Sequence, residues 1–467
     1  MDLEKAKNIH FIGIGGCGMS AIAKILREMG KSIQGSDIKE SPNTIRLKDI
    51  GIKIFIGHRA SNIRGADIVV YSSAIPRDNV EMKAARSERL ALIPRAEALA
   101  YILNQFPSRI AIAGTHGKTT TTSMVSSMLS RCGLHPTYLI GAEADTVAGN
   151  AKLGNGGNVV AEADESDGSF LKLRPTISVV TNIEADHMDH YRTLDNLIGT
   201  FEKFVNCLPE GGCLIINSDH ENSKVLLKKI SADHDLVCFG LNSGADLSAS
   251  DIRYDRTNTK FNVSWKGKLL GEVVLSVPGA QNVMNALSAI AVGLQLKIPF
   301  ESISNGLRYF KGVKRRFQHI GSHKGITVID DYAHHPTEVA ATLDAAKSGW
   351  SDEKRIICVF QPHRYSRTML LHEQFGQAFG DADVVIITDI YSAGEEPIDG
   401  VSAKLIADAV SANSKKEVYY IPKKEKVTEM LLRIAREGDM IVTAGAGDIY
   451  NVGKDFLARL KAKGVKA

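Results

Sequence analysis

Short apolar, β-rich runs alternate with amphipathic helical stretches along almost the whole chain, and no other feature limits the fold as much. Strand, helix and strand in succession is the pattern of βαβ units, which form parallel sheets with helices packed on their faces. The first series has runs at Asn8 to Ile14, Ser32 to Ser36, Lys53 to Ile56 and Asp67 to Ser72, with Met19 to Met29 and Thr44 to Ile50 between them. The pattern fades at Asn104 to Ser108 and restarts at Arg109, giving runs at Arg109 to Ala113, Asn158 to Ala161, Ile177 to Thr181 and Cys213 to Asn217. Residues 247 to 277 differ. Their alternating runs, broken at Asn258 and Lys266-Gly267, predict a small antiparallel excursion. Helical patterns follow at Gln281 to Leu296 and Phe300 to Phe310. A third series begins near Lys314, with runs at Ile326 to Ile329, Arg355 to Phe360, Asp383 to Thr388, Glu417 to Ile421 and Met440 to Thr443.

A length of 467 residues suits three such series, at roughly 150 residues per domain. The 57 basic and 53 acidic residues nearly cancel and form no block, so a dedicated nucleic-acid binder is not expected. No stretch reaches the length of apolar sequence a membrane span requires. The N-terminal residues run into a strand without a secretory h-region, and the six cysteines are scattered with no CxxC pair. Reduced thiols and a cytoplasmic location are the expectation.

Two glycine-rich turns carry the chemistry. Gly13, Gly15 and Gly18 match G-x-G-x-x-G between a strand and a helix, where bare backbone can approach a pyrophosphate. Gly15, Gly16 and Gly18 are therefore candidate contacts for a nucleotide or nucleotide sugar, and Ser72 at a later strand exit is a weaker one. The stronger signal is Gly114-Thr-His-Gly-Lys-Thr-Thr120, again between a strand and a helix. It is a shortened phosphate loop, since the usual first glycine would stand at Ile112. Gly114, Thr115, His116, Gly117 and Thr120 would cradle phosphates, Lys118 would reach the β/γ oxygens, and Thr119 would ligate Mg²⁺. Glu162, where an apolar strand runs out, and His187, in the ligand-dense run Thr181 to Tyr191, are the candidate metal ligands beside it. Catalysis is expected to rest on Lys118, Glu162 and His187.

These motifs together resemble the ATP-dependent Mur ligases, which join an amino acid to a UDP-sugar carboxylate. The resemblance is carried by Gly114 to Thr119, the Asn-Ile-x-x-Asp-His-Met-Asp run at Asn182 to Asp189, Gly13 to Met19, Asp330 to Pro336 and Gln361 to Arg367. It implies a Rossmann-like UDP-sugar domain over 1–107, a central P-loop ATPase-like domain over 108–313 with the antiparallel excursion, and a C-terminal Rossmann-like α/β domain over 314–467 that binds the amino acid. It implies ATP, two Mg²⁺ ions, UDP-N-acetylmuramate and L-alanine as ligands, joined through an acyl phosphate in peptidoglycan precursor synthesis, and it leaves a homodimer open. Asn285 would face the adenine, Arg316 the ATP phosphates and Asp330 the ribose. Tyr332, His334, His363, Arg364 and Arg367 would line the amino-acid site, with the two arginines on the carboxylate. Several relatives place a modified lysine as a metal ligand where this chain has Glu202 and Lys203; which of the two serves stays open, as does the base for the amine.

Three other readings remain. A nicotinamide-dependent oxidoreductase would use Gly13 to Gly18 and Asp37 but leaves the phosphate loop unexplained. A nucleic-acid ATPase lacks its basic face. A sister ligase attaching a recycled tripeptide to UDP-N-acetylmuramate shares the domain plan.

Overall fold

The computed structural model describes residues 2–141, 149–230, 234–242, 244–350 and 354–463. They divide into two compact units, one of residues 1–250, 262–273 and 284–310, the other of 251–261, 274–283 and 311–467. Three sheets form the layers.

The first sheet contains β1 (Asn8–Ile12), β2 (Ser32–Asp37), β3 (Lys53–Ile56), β4 (Ile68–Tyr71) and β5 (Ala91–Pro94) in the order β3-β2-β1-β4-β5, all parallel. The order reverses between β1 and β4, which places the loop after β1 at a topological switch point, where open α/β sheets take ligands. The expected four strands are present, and β5 adds a fifth. Beneath the sheet lies a buried polar cluster. Glu81 Oε2 accepts from Ser36 Oγ at 2.6 Å and pairs with His10 Nε2 at 3.0 Å, while Oε1 accepts from Asn62 Nδ2 at 2.7 Å. Burial alone would raise the Glu81 pKa, but hydrogen bonds from His10, Ser36 and Asn62 outweigh it and hold it at about 2. A depressed carboxylate contributes stability that is present above its unfolded pKa and lost as pH falls through the folded one. The structure therefore loses stability between about pH 4.5 and pH 2. Glu81→Ala should cost about 3 kcal/mol at neutral pH, because His10 and its neighbours lose a buried partner. Denaturant unfolding at pH 7 and pH 3.5 measures both effects; an unchanged midpoint for the variant would remove the cluster's role.

The second sheet is ten-stranded. Its members are β6 (Ser108–Ala113), β7 (Thr137–Leu139), β8 (Ala151–Lys152), β9 (Asn158–Glu162), β10 (Ile177–Val180), β11 (Cys213–Asn217), β12 (Asp235–Gly240), β13 (Leu247–Asp255), β14 (Asn258–Trp265) and β15 (Lys268–Leu275). The order is β15-β14-β13-β12-β11-β10-β6-β9-β7-β8. The antiparallel excursion is thus an extension of the main sheet, with Lys266 and Gly267 both at positive φ in the two-residue turn that joins β14 to β15. Strands β7, β8 and β12 escaped the sequence reading because they are short or sit at strongly polar borders. β6 lies between β9 and β10, parallel to both, and this register positions the site described below. The helix Lys118–Arg131 leaving β6 is rich in serine and threonine yet buried along most of its length. Hydroxyls of Thr122, Ser126 and Ser130 each donate to the carbonyl four residues back, at 2.8, 2.7 and 2.7 Å, so these three are satisfied inside the helix, while Ser123 Oγ is buried with no partner among the described residues.

The third sheet holds β16 (Gln318–His323), β17 (Ile326–Asp331), β18 (Ile356–Phe360), β19 (Val384–Ile387), β20 (Glu417–Tyr420) and β21 (Met440–Ala444), ordered β16-β17-β21-β18-β19-β20. Only β16 runs antiparallel. Strands β18 and β21 are buried on both faces, as apolar runs under helices on two sides must be.

Candidate functional site

The phosphate loop is built by its glycines and by the neighbouring strand end. Register places Glu162 beside Ile112 and Val180 beside Ala113, so Gly114 and Thr181 emerge together. Gly114 has φ +128°, and a Cβ there would lie 2.1 Å from Thr181 Oγ1. Gly117 has φ +84°, and its Cβ would lie 2.5 Å from Asn285 Oδ1. Any side chain would be both strained and blocked at either position. The loop is then pinned from β10. His116 N–H donates to Asn182 Oδ1 at 2.9 Å, Asn182 Nδ2 donates back to the His116 carbonyl at 3.0 Å, and Thr181 Oγ1 donates to the same carbonyl at 2.6 Å. The Thr115 N–H donates to the Asn182 carbonyl at 3.1 Å, and Thr115 Oγ1 accepts from the Glu184 N–H at 2.9 Å. Thr120, by contrast, is buried within the helix.

Charge is concentrated at the helix start. Lys118 Nζ donates to the carbonyls of Gly114 (2.6 Å) and Thr115 (3.1 Å) and pairs with Glu165 Oε1 at 2.9 Å. Burial would lower the lysine pKa, but Glu165 and Asp164 outweigh it and the net shift is upward. Glu165 is itself 1% exposed at its side chain, and burial pushes its pKa up to about 7 despite the lysine. Asp164 pairs with Arg95 at 2.9 Å; although burial works to raise its pKa, Lys118 and Arg95 hold it at about 2.

Thr119 Oγ1 donates to Glu162 Oε2 at 3.1 Å, and Glu162 Oε1 accepts from the Gly141 N–H. Burial raises the Glu162 pKa, as expected of a carboxylate turned inward. Two hard oxygen donors this close, one of them anionic, fit Mg²⁺ rather than a soft metal. His187 caps a short helix in a left-handed conformation, with its N–H on Asp186 Oδ1 at 2.9 Å. Lys203 is exposed and Glu202 half-buried on the helix Leu194–Val205. Asn285, from the helix Ala280–Gln295, is buried; its Oδ1 accepts from Thr121 Oγ1 at 3.1 Å and lies over Gly117.

In the first sheet, the Gly15 N–H donates to Asp37 Oδ2 at 2.8 Å, and a Cβ on Gly15 would sit 2.8 Å from that oxygen. Asp37 therefore braces the glycine loop. Gly16 is the N-cap of the helix Cys17–Glu28 and offers no side-chain cap, and Gly18 lies against Arg95, 3.0 Å from NH1 to a built Cβ. Ser72 Oγ accepts from the Ala74 N–H at 3.3 Å, which makes it a turn former.

The second unit gathers the remaining predicted residues. Tyr332 and His334 follow β17, and His363, Arg364 and Arg367 follow β18. The His334 and His363 rings meet at 5.7 Å, and Arg367 NH1 donates to His363 Nδ1 at 3.1 Å. His334 Nδ1 bonds to the Tyr332 carbonyl at 2.9 Å; as the donor it leaves Nε2 to accept, and burial lowers the imidazole pKa to about 4. Arg364 has φ +73°, its N–H donates to the Tyr391 carbonyl at 2.9 Å, and its guanidinium stands 3.9 Å from Glu395. Arg316 lies over the Tyr332 ring at 5.2 Å and 3.6 Å from Glu338. Asp330 is fully buried, with Oδ2 on Arg315 Nε at 3.0 Å and Oδ1 on Thr443 Oγ1 at 2.8 Å, so each oxygen already has one protein partner. Residues to which the sequence alone assigned no role are Asp164 and Glu165, two and three positions after Glu162, Asn182, inside the second motif, and Arg95, which carried no local signal.

A parallel sheet with a phosphate loop at its switch point, flanked by a lysine, a threonine and inward carboxylates, defines a nucleotide-triphosphate-using α/β enzyme. Comparison with known proteins narrows this. Family models match over residues 8–107 (Mur ligase family, catalytic domain), 112–293 (Mur ligase middle domain) and 315–447 (Mur ligase, glutamate ligase domain). The chain is 48% identical over 457 residues to the UDP-N-acetylmuramate–L-alanine ligase of Geotalea uraniireducens, covering 98% of this chain and 99% of that protein. It is 49% identical over 458 residues to the enzyme of the same name from Geobacter sp. strain M21, covering 98% of each. Among solved structures, the UDP-N-acetylmuramate–alanine ligase of Thermotoga maritima superposes with a TM-score of 0.83 at 32% identity, covering 98% of this chain and 99% of that one. A murein peptide ligase from Psychrobacter arcticus gives 0.72 at 27% identity, covering 97% and 98%. The chain belongs to the Mur ligase family, and its architecture is the three-domain α/β plan of that family. Among the described residues no helix is long and apolar enough to cross a membrane.

Proposed function

We propose that this chain joins L-alanine to the carboxylate of UDP-N-acetylmuramate, with ATP cleaved to ADP and phosphate. The observation that carries the reading is Lys118, Thr119 and Glu162 converging at the end of β6, in a chain about half identical to ligases of that name. The domains are read as 1–107 for the UDP-sugar, 108–313 for ATP and 314–467 for the amino acid. A cytoplasmic location suits the free cysteines and the nucleotide substrates.

An unreactive carboxylate must first become an acylating agent. The γ-phosphoryl of ATP passes to a carboxylate oxygen, giving an acyl phosphate and ADP. The L-alanine amine then attacks the acyl carbon, and the tetrahedral intermediate expels phosphate and loses a proton to leave the amide. Two anions meet in the first step, so positive charge is the main requirement. Lys118 leaves the loop carbonyls for the phosphates, and the loop amides hold the chain of phosphates in line. Thr119 and Glu162 would hold one Mg²⁺ and His187 a second, and bound Mg²⁺ supplies further neutralisation of the approaching anions. Arg364 and Arg367 receive the amino-acid carboxylate, with Tyr332, His334 and His363 forming the wall beside them. Gly15, Gly16 and Gly18 take the UDP diphosphate.

The test is phosphate release from ATP and UDP-N-acetylmuramate with L-alanine, glycine, L-serine or the recycling tripeptide. Release driven best by L-alanine is expected; release driven only by the tripeptide, or none above the no-amine control, overturns the reading. Arg364→Ala should raise the KM for L-alanine about tenfold while leaving ATP affinity unchanged, since one charge-assisted contact is lost.

A further inference from the structure

Around Lys118 stand three carboxylates, Glu165, Asp164 and Glu162, each contributing to its electrostatic environment. Glu165 pairs with the lysine directly and Glu162 bonds Thr119. Asp164 takes neither partner. It turns to Arg95, 69 residues earlier at the start of the helix Arg95–Leu103, with NH2 to Oδ2 at 2.9 Å. The other guanidinium nitrogen lies against Gly18 of the first glycine loop. Arg95 thus stands between two nucleotide-type loops and touches no part of the phosphate loop's own hydrogen-bond scheme.

We propose that Arg95 is a positioning residue for the ATP site, acting by neutralising Asp164. This deepens the function proposed above and rests on its assignment of Lys118 to the ATP phosphates. Without the guanidinium, the Asp164 charge would face Lys118 uncompensated. It would draw the ammonium toward the carboxylates and repel the incoming polyphosphate, two effects of the same sign. The pair is partly exposed, with side-chain exposures of 25% and 37%, so solvent screens it and a moderate effect is expected.

The experiment is binding of a fluorescent ATP analogue to the full chain, with a thermal melt as a folding control. Arg95→Ala should weaken binding about fivefold, and Arg95→Lys should hold most of it. Asp164→Asn should tighten binding about twofold. The double variant Arg95→Ala/Asp164→Asn should return to within about twofold of the wild type, since the charge that Arg95 offsets is gone. A purely structural role for Arg95 would make the double variant as weak as Arg95→Ala, and that result overturns the proposal. So does wild-type binding by Arg95→Ala. Should Arg95→Ala not fold, Asp164→Asn decides: unchanged or weaker binding rejects the idea. If the wild type itself does not bind the analogue, or Lys118→Ala binds it equally well, the assignment of Lys118 fails instead.

Discussion

Lys118→Ala is expected to reduce phosphate release by at least about a thousandfold, because the cation proposed to meet the γ-phosphoryl charge is removed. A second consequence follows from Glu165. Its carboxyl, 1% exposed, loses the lysine it pairs with and is left buried. A carboxyl whose folded pKa is raised contributes full stability below its unfolded pKa and loses it as pH climbs. With Lys118 in place the Glu165 value is about 7, and without it the value moves higher. The variant should therefore be less stable than the wild type at pH 8, with the gap narrowing toward pH 5. Phosphate release and thermal melts across that range measure the two effects separately. Substantial turnover in the variant would sink the assignment of the phosphate loop. A pH-independent gap would sink the account of Glu165.

Glu162→Gln should lower kcat by about a hundredfold and move the Mg²⁺ requirement to higher concentration. Glutamine keeps the shape and can still accept from the Gly141 N–H, but it removes the only charge of the Thr119–Glu162 oxygen pair. A neutral amide is a far weaker ligand for a hard dication than a carboxylate. Turnover measured against total Mg²⁺ distinguishes the cases. Partial recovery at high Mg²⁺ is expected, whereas a flat loss at every concentration would assign Glu162 a structural role, and an unchanged Mg²⁺ curve with full activity would take it out of the site.

The helices and strands that carry the site were legible because their signals are local. Residues 109–113 are an apolar strand by composition, and Gly114 and Gly117 mark positions where no side chain fits. The motif Asn182 to Asp189 was visible too, but the work of Asn182 was not. Its side chain serves the loop 66 residues earlier, a contact that exists only because β10 lies beside β6. Asp330 stood out by its place at a strand end, but its partners did not: the neighbouring strand β21 brings Thr443 against it and Arg315 pairs with its other oxygen. Arg95 sits in an unremarkable stretch, and nothing nearby in sequence predicts its partner.

Taken alone, the chain determined its βαβ rhythm, its two glycine turns and the chemistry those turns allow, because each depends on neighbours within a few residues. Tertiary structure decided which carboxylate meets which cation. Packing of strands and helices brings together groups separated by 47 residues at Lys118–Glu165, 69 at Arg95–Asp164 and 164 at Thr121–Asn285. Charge balance is a property of distance in space, and a strand order such as β10-β6-β9 is set by packing that no local pattern encodes.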